Sequence, residues 1–216
     1  IQWIYGRTGF VDQLTIGNVT SGNLSVLLPL LNWDVASDII AVVGTSGDDS
    51  VTGTVGNDIF LGLGGADVFF GGQGNDRFLI EEGTLIPADQ FFGETGNDVL
   101  QVDSTAIDSV QITPISDLRG LALDSIEVLD VVKGSFSLDA SDFAGSISGT
   151  LASPVVATLG INRIIGNGTD GAENSVLLEI HLGSLLGIDL RNTVFENWND
   201  GFYIDKTVRI VAGAQT

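Results

Sequence analysis

The chain has 216 residues, 44% of them hydrophobic, with 28 acidic against 8 basic residues and a formal net charge of −20. That balance repels nucleic acid and anionic membranes, while the apolar content argues for a packed protein rather than a disordered one. With no Cys there is no disulfide framework, Cys-based zinc site or thiol nucleophile, so the surplus acid needs another counter-charge, and a divalent cation is the economical one.

The longest apolar run, Val26 to Leu31, is short and contains Pro29; neither a secretory signal nor a transmembrane helix is read. A start at Ile1 and the lack of any Met are expected of a fragment or processed piece. Residues 1–43 read as strands, IQWIYG, DQLTIGNV and NLSVLL, separated by Gly, Asn and Ser. They form an N-terminal β segment expected to pack on residues 44–101.

Four nine-residue units then run without a break: GTSGDDSVT (44–52), GTVGNDIFL (53–61), GLGGADVFF (62–70) and GGQGNDRFL (71–79). Each has Gly at positions one and four, Asp at six and an apolar residue at eight. A fifth unit, GETGNDVLQ (93–101), restores the frame after residues 80–92, which are expected to bulge out or form an irregular coil. A short fixed period dictates a stacked architecture. A unit is a six-residue turn plus a three-residue strand, so successive turns fall on opposite edges of a flattened coil. Val51, Phe60, Phe69 and Phe78 would then point inward and fill the core.

The same spacing points to Ca²⁺. Gly at positions one and four permits positive φ and exposes carbonyls, and Asp at six adds a short charged oxygen. Calcium takes six to eight such oxygens, more than one turn offers, so two turns on one edge must share an ion. This gives two sites: Gly44, Ser46 and Asp49 with Gly62, Gly64 and Asp67; and Gly53, Val55 and Asp58 with Gly71, Gly74 and Asp76. Asp98 is a further metal candidate. Glu81, Glu82, Asp89 and Glu94, around the break, are the candidate partners for further sites with Asp67, Asp76 and Asp98, although each taken singly reads as a solvated loop acid.

From residue 102 onward, apolar segments recur every 12 to 20 residues with turn formers between them. This fits an all-β sandwich or a wider solenoid. One helical turn is expected at Ser141 to Ala144, with Ser141 as cap. Weaker motifs yield to plain readings. Gly166–Gly171 matches G-x-G-x-x-G but lacks the βαβ frame a dinucleotide site requires. His181, the sole histidine, lies in an alternating strand without triad partners. Counting an EF-hand loop from Asp48 puts Ile59 where Glu is needed. Trp3, Trp33, Trp198, Tyr5 and Tyr203 fit packing better than a sugar platform.

The nonapeptide run resembles the RTX (repeats-in-toxin) hemolysin-type calcium-binding repeats of secreted bacterial proteins. The resemblance covers residues 44–101, and unit one departs from it with Thr45 for the second Gly. It implies a parallel β-roll that folds after export into calcium-rich surroundings, and type I secretion. Residues 118–143 (LRGLALDSIEVLDVVKGSFSLDASDF) are similar to the I-E-x-L-x-V strands that come after such repeats in S-layer proteins and large adhesins. The expectation is an all-β chain: a β-roll at 44–101 with flanking β-sandwich or β-solenoid at 102–216. Its expected role is a calcium-binding structural or adhesive module of a secreted bacterial cell-surface protein, not an enzyme. Partners are calcium and either self-association or a cell-surface glycan, without nucleic acid or membrane insertion. The alternatives are the non-catalytic C-terminal region of an exported protease, lipase or epimerase, and a carbohydrate-binding module.

Overall fold

A computed structural model of the chain describes residues 13–26, 34–81, 88–103, 116–117, 122–139, 144–148, 156–159, 161–166, 176–181, 187–196 and 206–211. The expectations for Trp3, Tyr5, Trp33, Trp198 and Tyr203, for the cap at Ser141 and for residues 167–171 lie outside them.

The strands through the repeat are short, as a nine-residue period demands. They are β1 (Gln13–Gly17), β2 (Ser21–Asn23), β3 (Ile39–Val43), β4 (Ser50–Thr52), β5 (Asn57–Leu61), β6 (Val68–Gln73), β7 (Arg77–Glu81), β8 (Gln90–Thr95) and β9 (Val99–Asp103). They go alternately to two sheets, β1-β3-β5-β7-β9 and β2-β4-β6-β8, and every adjacent pair is parallel. This is the parallel β-roll. Part of the expected strand at 23–28 is instead a 3-10 turn, Leu24–Val26. Asn23 causes it: its Oδ1 accepts from the Ser25 amide at 2.9 Å, offering the backbone a local turn in place of a ladder.

Beyond the repeat come β10 (Ser116–Asp117), β11 (Ala122–Asp124), β12 (Val128–Asp139), β13 (Ala144–Ser148), β14 (Val156–Leu159), β15 (Arg163–Gly166), β16 (Val176–His181), β17 (Gly187–Asp189), β18 (Val194–Glu196) and β19 (Lys206–Val211). The first sheet runs on through β9-β12-β15-β18 and the second through β8-β11, again parallel. The later half of β12 pairs in parallel with β10 and β16, and β16 with β19. Only β13 and β14 are antiparallel among the described pairs. β10, β11, β12, β15, β16, β18 and β19 thus continue the parallel stacking of the roll, while β13, β14 and β17 form a separate three-stranded sheet.

Register explains the core. Val42, Phe60 and Phe78 are direct neighbours in one sheet, Val51 and Phe69 in the other. All five are at most 1% exposed. Positions six and eight face inward because strand side chains alternate. Phe60 stacks on Phe69 at 5.3 Å and on Phe78 at 5.2 Å, and Phe91 stacks on Phe69 at 6.1 Å and lies tilted against Phe78 at 5.5 Å. Such pairs contribute about 0.5–1.5 kcal/mol each beyond burial.

Phe91 corrects the reading of residues 80–92 as an excursion at its two ends, 80–81 and 88–92, while residues 82–87 lie outside the described ones. Residues 88–92 belong to the roll: β8 pairs with β6, and Phe91 lies on Phe69. The coil here spans 22 residues against 18 elsewhere, so only four residues are additional. The unit TLIPADQFF (84–92) keeps Asp at six and Phe at eight while having lost both glycines.

Candidate metal centre

The turns differ in what occupies position two. In the first two units it is Thr, and the threonine closes the turn onto its own aspartate. The Thr45 amide donates to Asp49 Oδ2 at 2.7 Å and the Thr45 hydroxyl to Asp49 Oδ1 at 3.0 Å. The Thr54 amide and hydroxyl donate to Asp58 Oδ2 at 2.6 and 2.9 Å. In later units, position two is left-handed: Leu63 (φ 77), Gly72 (φ 107) and Glu94 (φ 67). For Leu and Glu this conformation is unfavourable, and the turn holds them in it.

Glycine has two distinct jobs in these turns. At position four, Gly65 and Gly74 have φ of 106 and 115 as expected, whereas Gly47, Gly56 and Gly96 do not have positive φ. At position one, no glycine of the repeat has positive φ; that part of the expectation is corrected. Those glycines are there for room. A methyl on Gly53 would come 2.6 Å from Asp58 Oδ2 and collide with the Gly71 carbonyl oxygen. On Gly71 it would strike Asp76 Oδ2 and lie 2.9 Å from the Gly93 carbonyl oxygen. Gly44 and Gly62 are crowded in the same way, by Asp49 and Asp67. Each position-one glycine therefore floors a pocket between its own aspartate and, for Gly44, Gly53 and Gly71, a carbonyl one coil on.

The aspartates form two ladders. On one edge the Asp49 amide donates to Asp67 Oδ1 at 3.0 Å, and the Asp67 amide to Asp89 Oδ1 at 2.9 Å. On the other the Asp58 amide donates to Asp76 Oδ1 and the Asp76 amide to Asp98 Oδ1, both at 2.8 Å. The edge assignment read from spacing is the one observed. Asn57 and Asn75 run a parallel ladder at position five, their Oδ1 atoms accepting from the Asn75 and Asn97 amides at 2.7 and 2.9 Å.

All six aspartates are at most 3% exposed. Asp58 Oδ1, Asp76 Oδ2 and Asp98 Oδ2 are buried without any hydrogen-bond partner. Burial pushes the carboxyls of Asp58, Asp67 and Asp98 up to about 6 and that of Asp76 up to about 8, against partial relief from the ladder and turn amides. For Asp76, the neighbouring charges of Asp58, Asp98 and Glu94 add to the rise. A buried carboxylate is costly unless paired or bound to metal, so these oxygens suit a hard cation. Among the described residues no three acidic or His side chains converge on a point; any site must draw on backbone carbonyls, which calcium accepts.

The remaining candidate positions lie elsewhere on the turns. Ser46 and Val55 are exposed, and a methyl on Gly64 would meet open space. Gly74 packs on the Gly56 carbonyl rather than against a carboxylate. Asp89 is a buried rung of the ladder rather than a solvated loop acid, and Glu127 is a participant that the glycine-keyed frame does not reach. Asp89 stands one nine-residue unit before Asp98, as Phe91 does before Leu100. Glu127 opens EVLDV (127–131), a close copy of DVLQV (98–102).

Residues 43–78 and 88–103 match the family model of the RTX calcium-binding nonapeptide repeat, in four copies. This segment is an RTX calcium-binding repeat region. The match resumes at residue 88, where the structure also returns to the roll. RTX repeats typically occur in secreted proteins. Comparison with curated proteins and with solved structures returns no match. Among the described residues no helix is long and apolar enough to cross a membrane.

Proposed function

We propose that the RTX roll is a calcium-folded structural module of an exported cell-surface protein, of the S-layer or adhesin kind, without catalytic activity. The carrying observation is the set of three buried carboxylate oxygens, on Asp58, Asp76 and Asp98, that have no partner. Calcium would be held on one edge by Asp49 and Asp67 with Gly44 and Gly62. On the other, Asp58, Asp76 and Asp98 would act with Gly53, Gly71 and Gly93. Carbonyls of Ser46, Val55, Gly64 and Gly74 are further candidate ligands at the turns. When bound, the ion supplies positive charge and cross-links successive turns.

The chain's own residues prepare this. The ladder amides fix one oxygen of Asp67, Asp76, Asp89 and Asp98, and the phenylalanine stack holds the coils at one spacing. Without the ion, like charges would stand along each edge in a water-poor interior, so folding and binding are coupled. The test is titration with calcium and then excess EGTA, monitored by far-UV circular dichroism. Loss of β signal on chelation and its return with calcium are expected; a spectrum indifferent to EGTA sinks the reading. Calcium-dependent assembly into sheets, seen by electron microscopy, would support the lattice role, and a monomer under all conditions would count against it.

A further inference from the structure

The acid ladder continues past the last nonapeptide. The Asp98 amide donates to Glu127 Oε2 at 2.8 Å, so Glu127 stands where the next coil's aspartate would. We propose that a further calcium ion sits between the turn Gly93–Asp98 and the turn Ser125–Glu127, fastening β12, the strand that follows β9 in the first sheet, to the roll. The proposal rests on the calcium reading of the repeats. It adds a site whose second half, Ser125 and Glu127, lies outside the residues that match the family.

Three observations carry it. Asp98 is completely buried, and its Oδ2 has no hydrogen-bond partner. A methyl on Gly93 would lie 2.5 Å from that oxygen and collide with the Ser125 carbonyl, so carboxylate and carbonyl face one small pocket over Gly93. Glu127 adds a second carboxylate beside Asp98. The donors are hard oxygens and the side-chain charge is −2, which selects calcium over soft metals. Water would complete the coordination.

The turn that carries Glu127 is shorter than those of the repeat. By register Ser125 comes directly after the partner of Phe92 and Glu127 directly before the partner of Val99, so three residues span what Gly93–Asp98 spans with six. Ser125 makes the tight turn with φ 56. The backbone stays on the ladder, with the Glu127 amide donating to the Asp98 carbonyl at 3.1 Å, while the Glu127 side chain turns back to accept from the Asp98 amide.

The experiment counts calcium bound to the full chain by native mass spectrometry and equilibrium dialysis, for wild type, Glu127→Gln and Gly93→Ala. Gln keeps an oxygen for the Asp98 amide while removing the charge; the alanine methyl fills the pocket. Glu127→Gln is expected to lose one ion, or to bind one ion at least tenfold more weakly, with the other sites unchanged; Gly93→Ala should lose at least the same ion, and because the Gly93 carbonyl also borders the pocket over Gly71 a second, weaker site is expected to soften with it. An unchanged count and affinity in both variants would overturn the site. Wild type that binds no calcium at all would overturn the reading of the repeats instead. Hydrogen exchange gives a second readout: protection in Val128–Val131 should fall in both variants, and unaltered protection there would show that nothing fastens β12 at this point.

Discussion

The roll and the strands after it are stacked in one sheet by one pairing rule, yet they treat the ladder position in opposite ways. From Phe60 through Phe78, Leu100, Leu129 and Ile164 the inward residue is always apolar and at most 1% exposed. Two residues earlier, the series runs Asp58, Asp76, Asp98, Glu127, Asn162. Charge is kept on four successive coils and then dropped: the Asn162 amide donates to the Glu127 backbone carbonyl at 2.8 Å, with no carboxylate involved. Parallel stacking therefore does not need the acids. On the calcium reading proposed above, the acids make stacking conditional on a cation, and that condition would be confined to the coils before β15.

Removing calcium should break the symmetry most. In EGTA, amide protection in 44–101 should collapse while that of β15 and β18 is better retained; equal loss in both regions would show that the whole solenoid shares one metal-dependent transition. Next in size is the core. Phe78→Ala, which strips the ring touching both Phe60 and Phe91, should cost about 3–5 kcal/mol, and Leu129→Ala about 2–5 kcal/mol. Urea unfolding in saturating calcium measures both, and a Phe78 effect well below the Leu129 effect would mean that the aromatic stack is not what holds the roll.

Asp76→Asn sharpens the comparison by changing sign. With calcium it should destabilise the roll and weaken binding. In EGTA it should stabilise it by about 1–3 kcal/mol, since it removes the cost of a buried unpaired charge and keeps an oxygen for the Asp58 amide. Melting temperatures with and without calcium decide this, and the same sign in both conditions would refute the charge argument. Protons should act as a weaker substitute for the ion. The folded carboxyls titrate at about 6 and, for Asp76, about 8, above the ordinary 3.8. Their protonation thus stabilises the calcium-free roll fully below pH 4, and that stability is lost as pH rises through 6 to 8. Calcium-free samples should melt higher at pH 5 than at pH 8, with calcium affinity showing the opposite trend. The smallest effect is expected at the exposed Arg163–Glu196 pair between β15 and β18: Arg163→Ala should leave calcium binding and the urea midpoint unchanged within error.

The sequence alone determined the roll, its two edges and its inward phenylalanines, because all three are set by a period of nine and by the alternation of side chains along a strand. It also pointed to the metal, since Gly and Asp in that pattern present only oxygens. Tertiary structure decided what periodicity cannot encode. The four extra residues near 82–87 leave Asp89 and Phe91 in register, because stacking responds to where Asp and Phe sit and not to the glycines between them. Position-one glycines prove to be a matter of space across coils, and a collision with a residue 18 or more positions away is invisible in a local window. Glu127 joins the ladder from a three-residue turn that a nine-residue frame does not reach, and this shows only once both turns lie on the same edge.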